Sequence, residues 1–572
     1  MFNRIIISLV AITAIAGCTG QSKPVSSLDE KTATQNLFSN RPIDVVPDVY
    51  VITLNAPPLL EVGTKVNGKW EIPQAAKDLV LNEQTAFEQK LKNVASDAQV
   101  IFRYRLTLNA LAVYAPANAI PAIAKFAGVR SVAMAQQMAR PQEAARVANI
   151  GALGAVNPSN FIGSEHAYRA GFTGAGMRVG VLDTGIDYTH KMLGGSGVVA
   201  DYKAINPDLP AASFPNAKVV GGVDLAGTAF NAASPFSPDR LPKPDANPLD
   251  EAGHGTHVAG TIVGIGDGVN GFDGVAKDAT VYAVKVFGKN GSTMDAVVIA
   301  GFEFAADPNG DLNPDDQLDA INLSLGGGFG QPQILYNQAV RALSGAGTLV
   351  VASAGNSGPV DYIVGAPGTA DEAISIAASI DGSEHNWRFP TVKFIAPNNP
   401  HWVAKAVEGP ISKALSEIGP TEGELVDIGL ADADLTDGQK AKLAGKVALI
   451  SRGKVSFAEK LQRAFAGGAV GAVVYNNEPA KPFAMGGDGK VEIPAIMVSQ
   501  ALGLRLIEEM KVGPTRVQFK NTDILEEPEL IDTITSFSSK GPRSQDNLIK
   551  PEIAAPGQMV ISAAMGEGAL TV

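Results

Sequence analysis

From Gly171 onward, four short apolar runs recur between helical stretches: "MRVGVLD", "ATVYAVKVF", "DAINLSLGG" and "GTLVVASAGN". Strands this continuously apolar are buried on both faces. They predict an α/β fold, a parallel sheet with helices on both sides. Ligands and catalytic groups in such sheets lie beyond the carboxyl ends of the strands. The residues at those four ends therefore decide what the chain can do.

The first run ends in "VLDTGID", with Asp183 at its tip. "GHGTHVAGTIVG" follows, with glycines on both sides of His254 and an apolar run that predicts a helix starting at the histidine. "INLSLGG" offers extended backbone at Ser324, Leu325 and Gly326, and "LVVASAGNSG" delivers Asn356 on a glycine-flanked turn. Each piece has a plainer meaning. An aspartate after a strand is often a helix cap. His254 and His257 have the chemistry of zinc ligands, but "HGTH" is not the H-E-x-x-H helix and no third His or Cys accompanies it. An asparagine among glycines is commonly a turn residue.

Taken in order, these blocks resemble the subtilisin-like serine proteases (subtilases, peptidase S8). The matching text is "VGVLDTGID", "HGTHVAGT", "INLSLGG", "VVASAGNSG" and the later "SFSSKGP…KPEIAAPG". The resemblance implies roles. Asp183 orients His254, and His254 moves a proton to and from a serine hydroxyl. Asn356 donates to the oxyanion. Ser324, Leu325 and Gly326 pair with substrate as an added strand. His257 is structural. Small residues at Gly326–Gly328 and Ala354–Gly365 leave room for a large apolar side chain before the cut.

Upstream, "DVYVITL", a helix around Gln74–Val94, "VIFRYRLTLNALAVYAP" with a turn at Asn109, and "AIPAIAKFAGVRSVAM" read as strand–helix–strand–strand–helix–strand. That order is ferredoxin-like α+β. Residues 45–135 resemble the subtilase propeptide (inhibitor I9-like), an intramolecular inhibitor, with cleavage expected near Ala135–Ala152. Residues 136–165 read as a linker, 166–390 as the first part of the catalytic domain and 531–572 as its continuation. Residues 1–17, "MFNRIIISLVAITAIAG", have the form of a secretory signal peptide. "IAGC" resembles a bacterial lipobox, so Cys18, the one cysteine, is a lipidation candidate; an ordinary signal peptide with a chance cysteine is the alternative. Residues 18–44 read as a tether. The expected location is the bacterial cell envelope or outside the cell, with a membrane contact only through the lipid. A net charge of −12 without basic patches argues against nucleic acid as a partner. The expected partners are protein or peptide substrates and the chain's own propeptide.

Between 391 and 530 the pattern is interrupted. "GKVALISRG", an Ala/Gly-rich helix and "GAVVYNN" resemble the protease-associated (PA) domain, an α/β insertion that restricts access, binds protein, or serves as structure alone. "DPNGDLNPDD" places oxygens at Asp307, Asn309 and Asp311 as in calcium loops. However, Leu312 stands where the loop glycine belongs and Leu318 where a bidentate Glu belongs, which favours a solvated acidic loop. No cofactor is required, and structural calcium is the one candidate.

The family's serine lies in a "GTSMA(S/A)P" block beyond "KPEIAAPG". No such block occurs in the 572 residues, nor does a G-x-S-x-G elbow. Two readings follow. One is a chain cut before its nucleophile, itself inactive but part of a serine endopeptidase made as a zymogen. The other is a non-catalytic relative that binds peptides. Intact Asp and His motifs favour the first.

Overall fold

The computed structural model describes residues 45–140 and 157–569, apart from short stretches at 267–271, 332–334, 359, 410, 420, 480–481, 483–484, 486–489 and 520–522. Residues 1–44, read above as signal peptide, Cys18 and tether, and most of the segment read as a linker lie outside the described residues.

The first unit is a sheet in the order β6-β1-β5-β4, built from β1 (Val45–Leu54), β4 (Gln99–Tyr104), β5 (Ala110–Tyr114) and β6 (Val129–Met138). Helix α1 (Gln74–Val94) buries Val80, Gln84, Phe87 and Leu91, at helical spacing, against one face. Two details differ from the sequence expectation. The helix read in "AIPAIAKFAGVRSVAM", expected to close at Gly128, is shorter, a 3-10 turn Ala117–Ala119 followed by one α turn, Ile120–Ile123. Phe126 is drawn edge-on against Phe87, and Gly128, at φ 105, turns the chain into β6. The second difference is a hairpin, β2 (Thr64–Val66) and β3 (Lys69–Glu71), inserted between β1 and α1.

The central sheet is parallel throughout. Its strands are β7 (Arg178–Asp183), β8 (Val219–Asp224), β9 (Thr280–Lys285), β11 (Ala320–Leu323), β12 (Leu349–Ser353), β13 (Ile374–Ser379) and an edge strand, Ile553–Pro556. Their spatial order is β8-β9-β7-β11-β12-β13, then the edge strand. The chain starts in the middle at β7, builds β8 and β9 to one side, then crosses to β11 on the other. That reversal of direction opens a crevice at the carboxyl ends of β7 and β11. Helix α2 (His254–Val263) packs on one face.

Helix α3 (Asp295–Ala306) is buried on nearly every side. An all-round apolar helix needs cover all round. Here the central sheet lies on one side and the first unit's sheet on the other, so a single core contains Leu182, Val284 and Ile321 together with Val51, Phe102 and Met138. Strand β6 runs past the expected boundary at 135 because Gln137 and Met138 pair antiparallel with Met294 and Thr293 of the short β10 (Thr293–Met294).

Between β13 and the edge strand sits the insertion. Its strands Val447–Ser451, Gly471–Tyr475 and Val491–Val498 are parallel neighbours, and helices Phe457–Ala466 and Gln500–Val512 follow the first and third of them. The first of these helices starts in a capping box between Ser456 and Glu459. The insertion's first strand, Arg388–Ile395, begins three residues before the expected boundary, held by pairing with Ile524–Glu526.

Candidate active site

Asp183 ends β7 fully buried, and its Oδ1 accepts the Thr184 amide at 2.7 Å. His254 is the first residue of α2, and Gly253 before it sits at φ 99, a conformation glycine adopts freely. A side chain at Gly255 would run into the Gly185 carbonyl, which lets the helix start approach β7 closely. His254 Nδ1 consequently lies 2.8 and 2.9 Å from the two oxygens of Asp183. Burial alone would pull the imidazole pKa down. The Asp183 charge and hydrogen bond, with Asp250 behind them, outweigh that and hold it above its ordinary value, while Arg140 works in the opposite sense.

Asp250 was missed in the sequence. Its Oδ1 accepts the Ala252 and Gly253 amides, and its Oδ2 accepts the amide and hydroxyl of Thr256. It thus satisfies donors that the start of α2 would otherwise leave open. An aspartate four residues before the histidine was the available signal. Also missed was a buried ion cluster beside the dyad. Lys285, on the strand next to β7, has its ammonium 3.0 Å from Asp224 and 3.2 Å from Glu251. Nothing in "YAVKVF" distinguishes this lysine from a solvated one until β8 supplies Asp224.

The other candidates separate into two groups. β11 is in register with β7 through Asn322↔Val181, and Ser324 and Asp183 each come two residues after that pair. Past Leu323 the chain leaves the ladder through Ser324, Leu325 and Gly326 and bridges again only at Gly327↔Ala366. Asn356 is exposed on the turn beyond β12, after Gly355 at φ 103. Asp183, Ser324–Gly326 and Asn356 thus stand at or just beyond the carboxyl ends of three neighbouring strands, β7, β11 and β12. His257 does not join them, because its Nε2 is bonded to the Val560 carbonyl.

Loop Asp307–Asp316 lies at the other end of the sheet, ahead of β11. Asp307 accepts the amides of Gly310, Asp311 and Leu312, and Asn309 Oδ1 accepts that of Asp311. These oxygens are turned into the loop's own backbone. Among the described residues no three His, Cys, Asp or Glu side chains gather as a metal shell.

The chain is 32% identical over 410 residues to the minor extracellular protease Vpr of Bacillus subtilis, covering 70% of this chain and 43% of that one. It is 26% identical over 588 residues to a PII-type proteinase of Lactococcus lactis, covering 92% of this chain and 28% of that one. Subtilisin DY of Bacillus licheniformis is 32% identical over 234 residues, covering 40% of this chain and 66% of subtilisin DY. The chain therefore spans less than half the length of the first two relatives. The Subtilase family (Peptidase S8) model matches residues 174–571, which include β7, α2 and the ends of β11 and β12, and the chain belongs to that family.

Proposed function

We propose that the whole protein is an exported serine endopeptidase working through an acyl-enzyme, with Asp183 and His254 as two members of its triad. The observation that carries this reading is the 2.8 Å contact between His254 Nδ1 and Asp183 at the end of β7. A carboxylate there fixes the tautomer that leaves Nε2 unprotonated, free to take a hydroxyl proton and return it to the leaving amine. Asn356 supplies a side-chain N–H to the oxyanion. Ser324–Gly326 offers the backbone to which a substrate adds as a strand. The serine motif is absent from these 572 residues, and the reading assigns the nucleophile to sequence outside them.

Residues 45–138 act in this reading as the intramolecular inhibitor. Support comes from β6, which pairs with Thr293–Met294 and leads to Arg140, whose charge acts on His254. The insertion is read as a PA domain that limits access or binds protein. Export rests on the leader-like residues 1–17 and on the similarity to the minor extracellular protease Vpr, with Cys18 as the lipid attachment point. No cofactor is needed, and Asp307–Asp316 is taken as a self-bonded turn rather than a calcium loop.

The test is covalent labelling of the protein as its gene encodes it. A fluorophosphonate should label one serine, and His254→Ala should abolish both labelling and cleavage. The absence of the serine motif also favours a second reading, a peptide binder that does not cut. Peptide binding without any labelled serine would establish that reading and overturn the first.

A further inference from the structure

The hairpin β2–β3 makes contacts that neither the dyad nor the substrate strand requires. Its turn is Asn67-Gly68, with φ 52 and 81, the conformation a two-residue hairpin favours. Lys65 and Trp70 are cross-strand partners, and the ammonium lies 5.2 Å from the indole ring centre. From this rigid tip three polar bonds reach the catalytic unit. The Trp70 amide donates to Asp315 Oδ1 at 2.6 Å, the Trp70 indole N–H donates to Gln317 Oε1 at 2.9 Å, and Lys65 Nζ donates to the Ala346 carbonyl at 2.9 Å. Ala346 is the last residue of α4 (Leu335–Ala346), so the cation meets the negative end of a helix. Gln317 is buried, and its amide nitrogen also donates to Ala346, which fixes its oxygen toward the indole.

The location is informative. Asp315 and Gln317 precede β11, and Ala346 precedes β12. They lie at the amino ends of strands whose carboxyl ends bear Ser324–Gly326 and Asn356, on the order of 20 Å away at the rise of an extended chain. A peptide in the cleft does not reach them.

We propose that Asp315, Gln317 and the end of α4 form a second binding site for residues 64–71, a clasp that keeps the first unit bound after the chain is cut between it and the enzyme. The inference rests on the reading of residues 45–138 as an inhibitor. The clasp sets how long the severed inhibitor stays, and therefore how fast activity appears. It leaves untouched what the enzyme cuts.

A recognition site for a sequence-specific protease, placed within residues 141–156 of the 572-residue chain, allows severing without the chain's own activity. Dissociation of the two pieces is then followed by size-exclusion chromatography over time. Trp70→Phe keeps a ring and removes the indole donor, so release should quicken about fivefold, the worth of one neutral hydrogen bond. Gln317→Ala should quicken it similarly, and the double variant should be no faster than either single one, because both remove the same bond. Lys69→Ala, exposed on the same hairpin, should leave the rate unchanged. Melting of the uncut variants checks their folding. Release at the parental rate in both Trp70→Phe and Trp70→Ala overturns the clasp, as do fully additive Trp70 and Gln317 effects. If the parental pieces part as soon as they are cut, the inhibitor reading falls and the clasp with it.

Discussion

Asp183 and Lys285 are direct partners on neighbouring parallel strands, one at the end of β7 and the other at the end of β9. The backbone ties them again, since the Val286 amide donates to the Asp183 carbonyl at 2.8 Å. Their side chains serve different partners: Asp183 holds His254, and Lys285 holds Asp224 and Glu251. Glu251 lies three residues before His254, so the ion cluster anchors the segment that carries that ring. Beside the Asp183–His254 pair there is thus a buried cation whose ammonium is held by two other carboxylates.

Replacing Lys285 with methionine should cost about 3–5 kcal/mol at pH 8, because two carboxylates lose the ammonium they share. Burial already holds Asp224 above the usual carboxylate range despite Lys285. Without the lysine its folded pKa rises further, the folded chain binds a proton the unfolded chain lacks, and stability increases as pH falls. Urea unfolding at pH 8 and pH 5 measures this. An equal cost at both pH values would refute the account.

Asp183→Asn in the whole protein should lower kcat by about 10⁴-fold with little change in KM, the loss typical of this change in a serine-protease triad. The asparagine oxygen can still accept the Thr184 amide, so the fold should survive. What fails is the tautomer, because an amide nitrogen now faces His254 Nδ1. Peptide hydrolysis measured alongside a thermal melt decides. A fall below tenfold with intact folding would remove Asp183 from the mechanism.

The His254 ring should titrate above about 6.5 in the 572-residue chain. Asp183→Asn should lower that value and Arg140→Gln should raise it further, since the guanidinium opposes the charged ring. The sign fixes the consequence for stability. A raised histidine pKa stabilises the fold below about 6.5, and the contribution is lost as pH rises through the folded value. Activity of the whole protein should follow the opposite course and rise as the ring becomes neutral. Proton NMR of the ring resonances reads all three pKa values, and a drop on removing Arg140 would contradict the electrostatic picture.

What could be read from the sequence was local in character. Asp183, His254, Ser324–Gly326 and Asn356 each sit where an apolar run stops or a glycine turns the chain, and those signals span only a few residues. Contacts between distant segments left no such trace. Lys285 belongs to an apolar strand, and its carboxylate partners lie on another strand and on a loop. Trp70 and Gln317 meet across 247 positions of chain. The β2–β3 hairpin was within reach, because "VNGKW" carries the strongest short hairpin signal there is, Asn-Gly. The over-long helix before Gly128 failed for the opposite reason: local propensity favoured it, and the packing of Phe126 on Phe87 prevailed.

Asp295 and Glu303 carry a further pH dependence, because both are acids on a helix enclosed by two sheets. Glu303 accepts the amides of Arg105, Leu106 and Thr107 and the Thr107 hydroxyl, and Asp295 accepts those of Gln136 and Ala296. For Asp295, burial outweighs its two amides and pushes the pKa up to about 7. Between about 4 and 7 the folded chain thus holds a proton that the unfolded chain has released, so this group's contribution falls as pH rises across that window. Asp295→Asn keeps an oxygen for both amides and removes the charge. The variant should match the parent near pH 4.5 and exceed it by about 1–3 kcal/mol at pH 8. Urea unfolding at the two pH values is sufficient, with Tyr104 and Tyr336, the phenols on which the Asp295 charge acts, left unchanged. A gap that does not widen with pH would mean that Asp295 is ionised in the fold and that its amides, rather than its burial, set its state.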